Sequence, residues 1–232
     1  MEKIKVRLTT IEEMLGSLPG DSEVYRNYIA SKAPNPAAIA DEEVATINVD
    51  EEFQKGCTVF ARNAEGNPIL FDYVFKGFFK NACKALRETD EKGAKSPALK
   101  AYKSKIDNLV FVGPRQVEIK TDKSISICER PLRASTAQGE RVALAASEQI
   151  ATGAVMEIEI STLNKEMMEC VLEWLDYGKF NGLGQWHNSG KGRFIWEYIV
   201  DDSDKKEPTK TVVAEAAPAP KKRGRKPKNA TV

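Results

Sequence analysis

Residues 154–160, Ala-Val-Met-Glu-Ile-Glu-Ile, alternate apolar and charged side chains, and a helix start follows almost at once. Alternation sends successive side chains to opposite faces, so this segment is a half-buried strand whose apolar face needs a cover. The cover comes next in the chain. Asn164 is placed to cap a helix with Glu166 in its first turn, Met168, Val171, Leu172 and Leu175 form an inward stripe, and Gly178 stops it. A last strand is expected over 193–200, so this part of the chain spells strand, helix, strand.

The front of the chain repeats the pattern. Over 3–10, Ile4, Val6 and Leu8 fall on one face and Lys3, Lys5 and Arg7 on the other. A short helix is expected over 23–31, ended by Ala33-Pro34-Asn35-Pro36. Residues 57–75 read as a hairpin turning at Glu65-Gly66-Asn67-Pro68. An amphipathic helix then begins near Gly77, with Phe75, Phe78, Phe79, Ala82 and Leu86 at helical spacing and lysines between them. Short strands are expected at 108–112, 115–120, 124–128 and 141–146. Trimmed of insertions, the order is that of a split β-α-β, ferredoxin-like α+β domain over 1–200. Residues 201–232 are rich in Pro, Ala, Lys and Glu, have little to bury, and are expected to be a disordered tail.

Charge and residue counts narrow the chemistry. Apolar residues make up 41% of the 232, which suits a soluble globular chain, and no apolar run approaches the roughly 18 residues of a membrane span. The start lacks the continuous apolar stretch of a secretory signal, so a cytoplasmic, non-membrane protein is expected. Cys57, Cys83, Cys128 and Cys170 are far apart and read as small buried hydrophobes. The one histidine, His187, rules out metal sites needing two, and no serine lies in a G-x-S-x-G elbow. No metal, cofactor or catalytic set is therefore expected.

The net charge of +1 hides an asymmetry. Nine basic and five acidic side chains after residue 200 leave about −3 on the rest. Asp41, Glu42, Glu43, Asp50, Glu51 and Glu52 form an acidic stretch. Nine basic residues between Lys76 and Lys105, Lys80 among them, face only Glu88, Asp90 and Glu91. Such a surface could follow a phosphate backbone or simply be a solvated helix face.

The most unusual segment is the loop over 182–193, with Gly182, Gly184, Gly190 and Gly192 among Trp186, His187, Lys191 and Arg193. It is not a P-loop or a dinucleotide fingerprint, because those follow a strand and open a helix, whereas this loop follows a helix and opens a strand. It could offer bare backbone N–H groups, two cations and a flat indole for stacking on a base; equally, Trp186 could be tucked into the core.

Three ordered segments together resemble the RAMP superfamily, the repeat-associated proteins that form the guide-binding backbone of CRISPR effector complexes. They are Phe75-Lys76-Gly77-Phe78-Phe79-Lys80; the run from Glu129-Arg130-Pro131-Leu132-Arg133 through Ser147-Glu148-Gln149-Ile150-Ala151-Thr152-Gly153-Ala154; and the glycine loop. The chain is also similar to uncharacterised phage-encoded proteins of this length class. The resemblance implies a modified ferredoxin-like (RRM-like) palm with long insertions and a thumb hairpin. It also implies single-stranded RNA contact and side-by-side packing along the strand. It implies nucleic-acid contact by Lys76, Gly77, Gly182, Gly184, Gly190, Lys191, Gly192 and Arg193, with Arg130 and Arg133 on the thumb. One branch of the family cleaves RNA with an early-loop Asp, but Asp21, Asp41 and Asp50 do not map onto it. Another branch uses a histidine, and His187 is not where that residue is expected.

In the tail, Arg223-Gly224-Arg225 within a run of lysines looks like an AT-hook, with Lys222 where a proline is usual. It would reach into an A·T minor groove of duplex DNA, or act as a plain polycation. The expectation is a non-enzymatic binding protein that coats single-stranded RNA or DNA as a homo-oligomer. A nuclease of the same superfamily and a phage protein that imitates or inhibits an effector subunit are the alternatives.

Overall fold

The computed structural model of the chain describes residues 1–20, 57–89, 94–136 and 139–199, and of 132–144 the backbone alone. The helix expected over 23–31, the acidic stretch, Asp21, Asp41, Asp50 and the tail with Arg223, Gly224 and Arg225 lie outside the described residues. In chain order the elements are β1 (Glu2–Thr10), β2 (Met14–Leu15), β3 (Leu18–Pro19), β4 (Cys57–Val59), β5 (Ala61–Arg62) and β6 (Pro68–Phe71), then helix α1 (Asp72–Leu86). A 3-10 turn at Ser96–Ala98 precedes α2 (Tyr102–Leu109), β7 (Val110–Gly113), β8 (Gln116–Glu118), β9 (Ser126–Thr136), β10 (Gly139–Ile150) and β11 (Val155–Thr162). Helix α3 (Lys165–Asp176), 3-10 turns at Tyr177–Lys179 and His187–Ser189, and β12 (Phe194–Tyr198) complete the order.

Three sheets and three α-helices are present among the described residues, an α+β protein. The main sheet has strand order β12-β1-β11-β7, antiparallel throughout. Val6 faces Ile158 on one side and Tyr198 on the other, and Ile160 faces Val112. One face of this sheet carries Val6, Leu8, Met156, Ile158, Ile160, Val110 and Val112 into a single core with α1 and α3. Phe79 of α1 meets Trp174 of α3 at 5.7 Å between ring centroids, and Phe78 meets Phe194 at 5.2 Å. Each large apolar side chain buried there stabilises the fold by roughly 1.5–3 kcal/mol. The Asn164 side chain accepts the Met167 N–H at 2.9 Å and caps α3 as the sequence expects.

The opposite face of the sheet is closed electrostatically. Arg7 lies in register with Glu157 and Glu197 and pairs with both, at 3.0 and 3.1 Å. Lys120 reaches the same Glu157 at 3.1 Å, and Lys3 pairs with Glu159 at 2.5 Å. On the central strands β1 and β11 this face carries charged, Thr, Ser and Val side chains, and an exposed aromatic, Phe111, stands on the edge strand β7.

The second sheet runs β2-β10-β4-β3, with β9 paired to β10 as a long hairpin. The third, β5-β6-β8, holds Ala61, Ile69 and Phe71 in a small separate cluster. Three expectations need correction. The helix starts at Asp72 rather than near Gly77, so Lys76-Gly77 is helix interior and not a strand–helix corner. A glycine with exposed surroundings does not end a helix whose other face buries three phenylalanines. The strands expected at 124–128 and 141–146 are parts of the one hairpin. Helix α2 departs from the expected pattern, since Ile106 is its one buried residue and supplies no periodicity; it takes in Asn108 and Leu109, expected as strand.

Candidate nucleic-acid interface

Helix α1 has two working faces. Phe75, Phe78, Phe79, Ala82 and Cys83 are buried. Val74, Gly77, Asn81 and Lys84 follow one another at spacings of three and four, which places them in one stripe. Val74, Gly77 and Asn81, with Phe78, form one wall of an open cleft of about 370 Å³. Gly182, Leu183, Gly184, His187 and Asn188 form the other wall, with Ser17 beside them. Lys84 continues the stripe, exposed, one turn past Asn81. The helix bearing Lys76-Gly77 and the glycine loop thus meet at one cleft, and Gly77 is the residue of that pair that lines it.

The loop is built by backbone lying on backbone. The Leu183 N–H donates to the Gly192 carbonyl at 3.0 Å, Gln185 N–H to the Leu15 carbonyl at 3.1 Å, and Gly192 N–H to the Glu13 carbonyl at 2.7 Å. Gly192 sits at φ +68°, and a Cβ there would strike the Leu183 carbonyl oxygen. A Cβ on Gly182 would run into the Lys191–Arg193 backbone. These two glycines are therefore required by the loop's own packing. Trp186 adopts left-handed backbone at φ 59°, which a side-chain-bearing residue adopts at a cost.

The expected cations have internal partners. Lys191 pairs with Glu13 at 2.7 Å and Arg193 with Glu12 at 2.6 Å, all partly exposed, clasping the loop to the segment after β1. The Lys191 ammonium holds the Glu13 carboxyl below the usual carboxylate range. Lys80 pairs with Asp107 at 2.6 Å; Lys76 donates to the Asp107 carbonyl at 3.3 Å and lies 5.1 Å from the Phe111 ring centre. Arg87 stacks on Tyr102, and Lys95 pairs with Glu169 at 3.0 Å. Of the basic segment, Lys84, Lys100, Lys103 and Lys105 are exposed with no partner among the described residues.

At the root of the hairpin, the Arg130 guanidinium lies against the Trp186 indole, and burial pulls it below its ordinary pKa. One face of the indole is thereby covered. Gln185 Oε1 accepts the hydroxyls of Thr58 at 2.7 Å and Ser147 at 2.9 Å, tying the loop to β4 and β10. Glu148 is buried, pairs with Arg62 at 2.5 Å and accepts the Phe60 N–H at 2.8 Å. Arg133 lies on β9 opposite Val142. The Gly190 N–H is bonded to the His187 carbonyl at 3.0 Å, and a Cβ on Gly190 would meet only the Arg193 guanidinium. The sequence did not single out Ser17, Val74, Asn81, Leu183 or Asn188; the spacing of Val74, Gly77 and Asn81 is the signal that could have found the helix side.

No known family model matches this chain, and no curated protein matches it. Among solved structures it is similar to a chain of a type III-B Cmr-β complex bound to cognate target RNA, at 10% identity and a TM-score of 0.43, over 85% of this chain and 58% of that one. It is also similar to a chain of a type IV-B CRISPR complex, at 11% identity and a TM-score of 0.45, over 93% of this chain and all of that one. The chain spans little more than half the length of the first of these. Among the described residues no three His, Cys, Asp or Glu side chains gather as a metal set, and no helix is long and apolar enough to cross a membrane.

Proposed function

We propose that the protein binds single-stranded RNA or DNA through the cleft between α1 and the glycine loop, acting by binding and not by turnover. In this reading the β12-β1-β11-β7 sheet with α1 and α3 is a RAMP-like, ferredoxin-like palm, β9–β10 is its thumb, and copies pack side by side along the strand. The tail with Arg223, Gly224 and Arg225 adds phosphate affinity, to duplex DNA as well.

Gly77 carries the reading. An interior helix glycine costs roughly 0.5–1 kcal/mol relative to alanine. Here no described atom outside its own stretch of helix lies within 4 Å of where its Cβ would stand, so no packing among the described residues asks for a glycine. The open space lies over the cleft, where a bound strand would use it. Fluorescence anisotropy of the full chain with labelled single-stranded RNA and DNA at low salt is the test. Saturable binding is expected, weakened about tenfold or more by Gly77→Glu, which keeps helix propensity while filling the cleft. Absence of saturable binding to either strand overturns the reading.

A further inference from the structure

We propose that the cleft seats an unstacked nucleobase and that the phosphates of the same strand lie outside it. This rests on the single-strand reading above and concerns which part of the strand enters.

The lining is Ser17, Val74, Gly77, Phe78, Asn81, Gly182, Leu183, Gly184, His187 and Asn188. None of these is Asp, Glu, Lys or Arg. A phosphate taken into a site without counter-charge loses its hydration with no cation to offset the cost. A helix N-terminus does not stand in for a cation here either. The cleft meets α1 along its side, at residues 74–81 of a helix that starts at Asp72, and so does not face the helix N-terminus. The loop cations Lys191 and Arg193 are turned to Glu13 and Glu12.

A base suits the same surface. Val74, Phe78 and Leu183 supply apolar wall, and the bare Gly77 lets a flat ring approach the helix. Asn81 and Asn188 each offer a donor and an acceptor, the pattern that reads base edges. His187 Nδ1 lies 3.0 Å from the Gly184 carbonyl. A carbonyl only accepts, so Nδ1 holds the hydrogen and, in the neutral ring, Nε2 is left as an acceptor. The volume of about 370 Å³ is at the small end of ligand sites, which run from about 300 to 1,000 Å³. Lys84, exposed at the next turn, is placed for a phosphate at the rim.

The test compares a fluorescein-labelled oligodeoxynucleotide with its fully abasic counterpart of equal length and charge, each titrated with the full chain over a range of salt. The base-bearing strand is expected to bind about tenfold tighter or more, as one well-held base is worth that much. The double variant Asn81→Ala, Asn188→Ala is expected to lose most of that preference while keeping its thermal midpoint and the slope of log Kd against log salt. Lys84→Ala is expected to lower that slope by about one and leave the preference intact. Equal affinity for the two strands overturns the inference while the single-strand reading stands. An asparagine variant that loses as much on the abasic strand also overturns it. Failure of both these strands and of labelled single-stranded RNA to bind ends the single-strand reading and this inference with it.

Discussion

Gly192 and Gly77 call for opposite outcomes from one substitution. At Gly192, alanine would need the left-handed region at φ +68° and would press on the Leu183 carbonyl, so Gly192→Ala should cost about 2 kcal/mol or more. At Gly77, alanine meets no described atom outside its own stretch of helix and removes the conformational freedom of an interior helix glycine, so Gly77→Ala should gain roughly 0.5–1 kcal/mol. Urea denaturation of the two variants beside the native chain measures both; a loss at Gly77 would mean that its bare face is needed for folding. Thiol chemistry gives a second residue-level check. Cys57, Cys83 and Cys170 are buried, and burial pushes the Cys170 thiol up to about 12, whereas Cys128 is partly exposed. Maleimide labelling of the native protein should modify Cys128 first, with the other three following only on denaturation. The sequence marks the loop glycines as special because glycine is easy to see. It does not show that Lys191 and Arg193 answer to Glu13 and Glu12, because those partners lie roughly 180 residues away in the chain.

Elements that carry their own periodicity are legible in the sequence alone. β1, β11 and α3 have alternation or a capped apolar stripe written into a few adjacent residues, and they fold where that pattern puts them. α2 and the full length of the β9–β10 hairpin are not legible in this way. α2 buries one side chain, and Pro131 in the middle of β9 argues locally against a continuous strand. The hairpin root is held by a device that only the folded chain displays, the part-buried Arg62–Glu148 pair with the Phe60 N–H on the same carboxylate. Glu148→Leu leaves a part-buried guanidinium and a buried backbone donor without their carboxylate, and should cost about 2 kcal/mol. The double variant Arg62→Met, Glu148→Leu should recover a good part of that loss. Chemical denaturation midpoints decide it, and a single-variant loss under about 0.5 kcal/mol, the level of a surface change, would show that the pair is solvated in practice.

On the scale of the whole molecule, ion pairs among the described residues set how stability answers to pH. Glu157, held low chiefly by Lys120 and then Arg7, and Glu13, held low by Lys191, each have a folded pKa depressed from the ordinary value. Their stabilisation is present above the usual glutamate pKa, about 4.3, and fades as pH falls through the depressed values. Both are partly exposed, so each is worth no more than about 1 kcal/mol. Thermal midpoints should therefore drop below about pH 4, and the drop should shrink in a Lys120→Met, Lys191→Met variant; an undiminished drop would assign the acid sensitivity elsewhere. The cleft is only half legible for a related reason: a basic segment is visible in composition, but which lysines remain unpaired depends on the fold. The strand order has one more consequence. β1, made first, sits between β11 and β12, so its two neighbours come from the last part of the described chain to be synthesised. During translation one hydrogen-bonding edge of β1 stays open until β11 (Val155–Thr162) has been made and the other until β12 (Phe194–Tyr198) follows, an interval in which holdase chaperones would govern the yield of native protein.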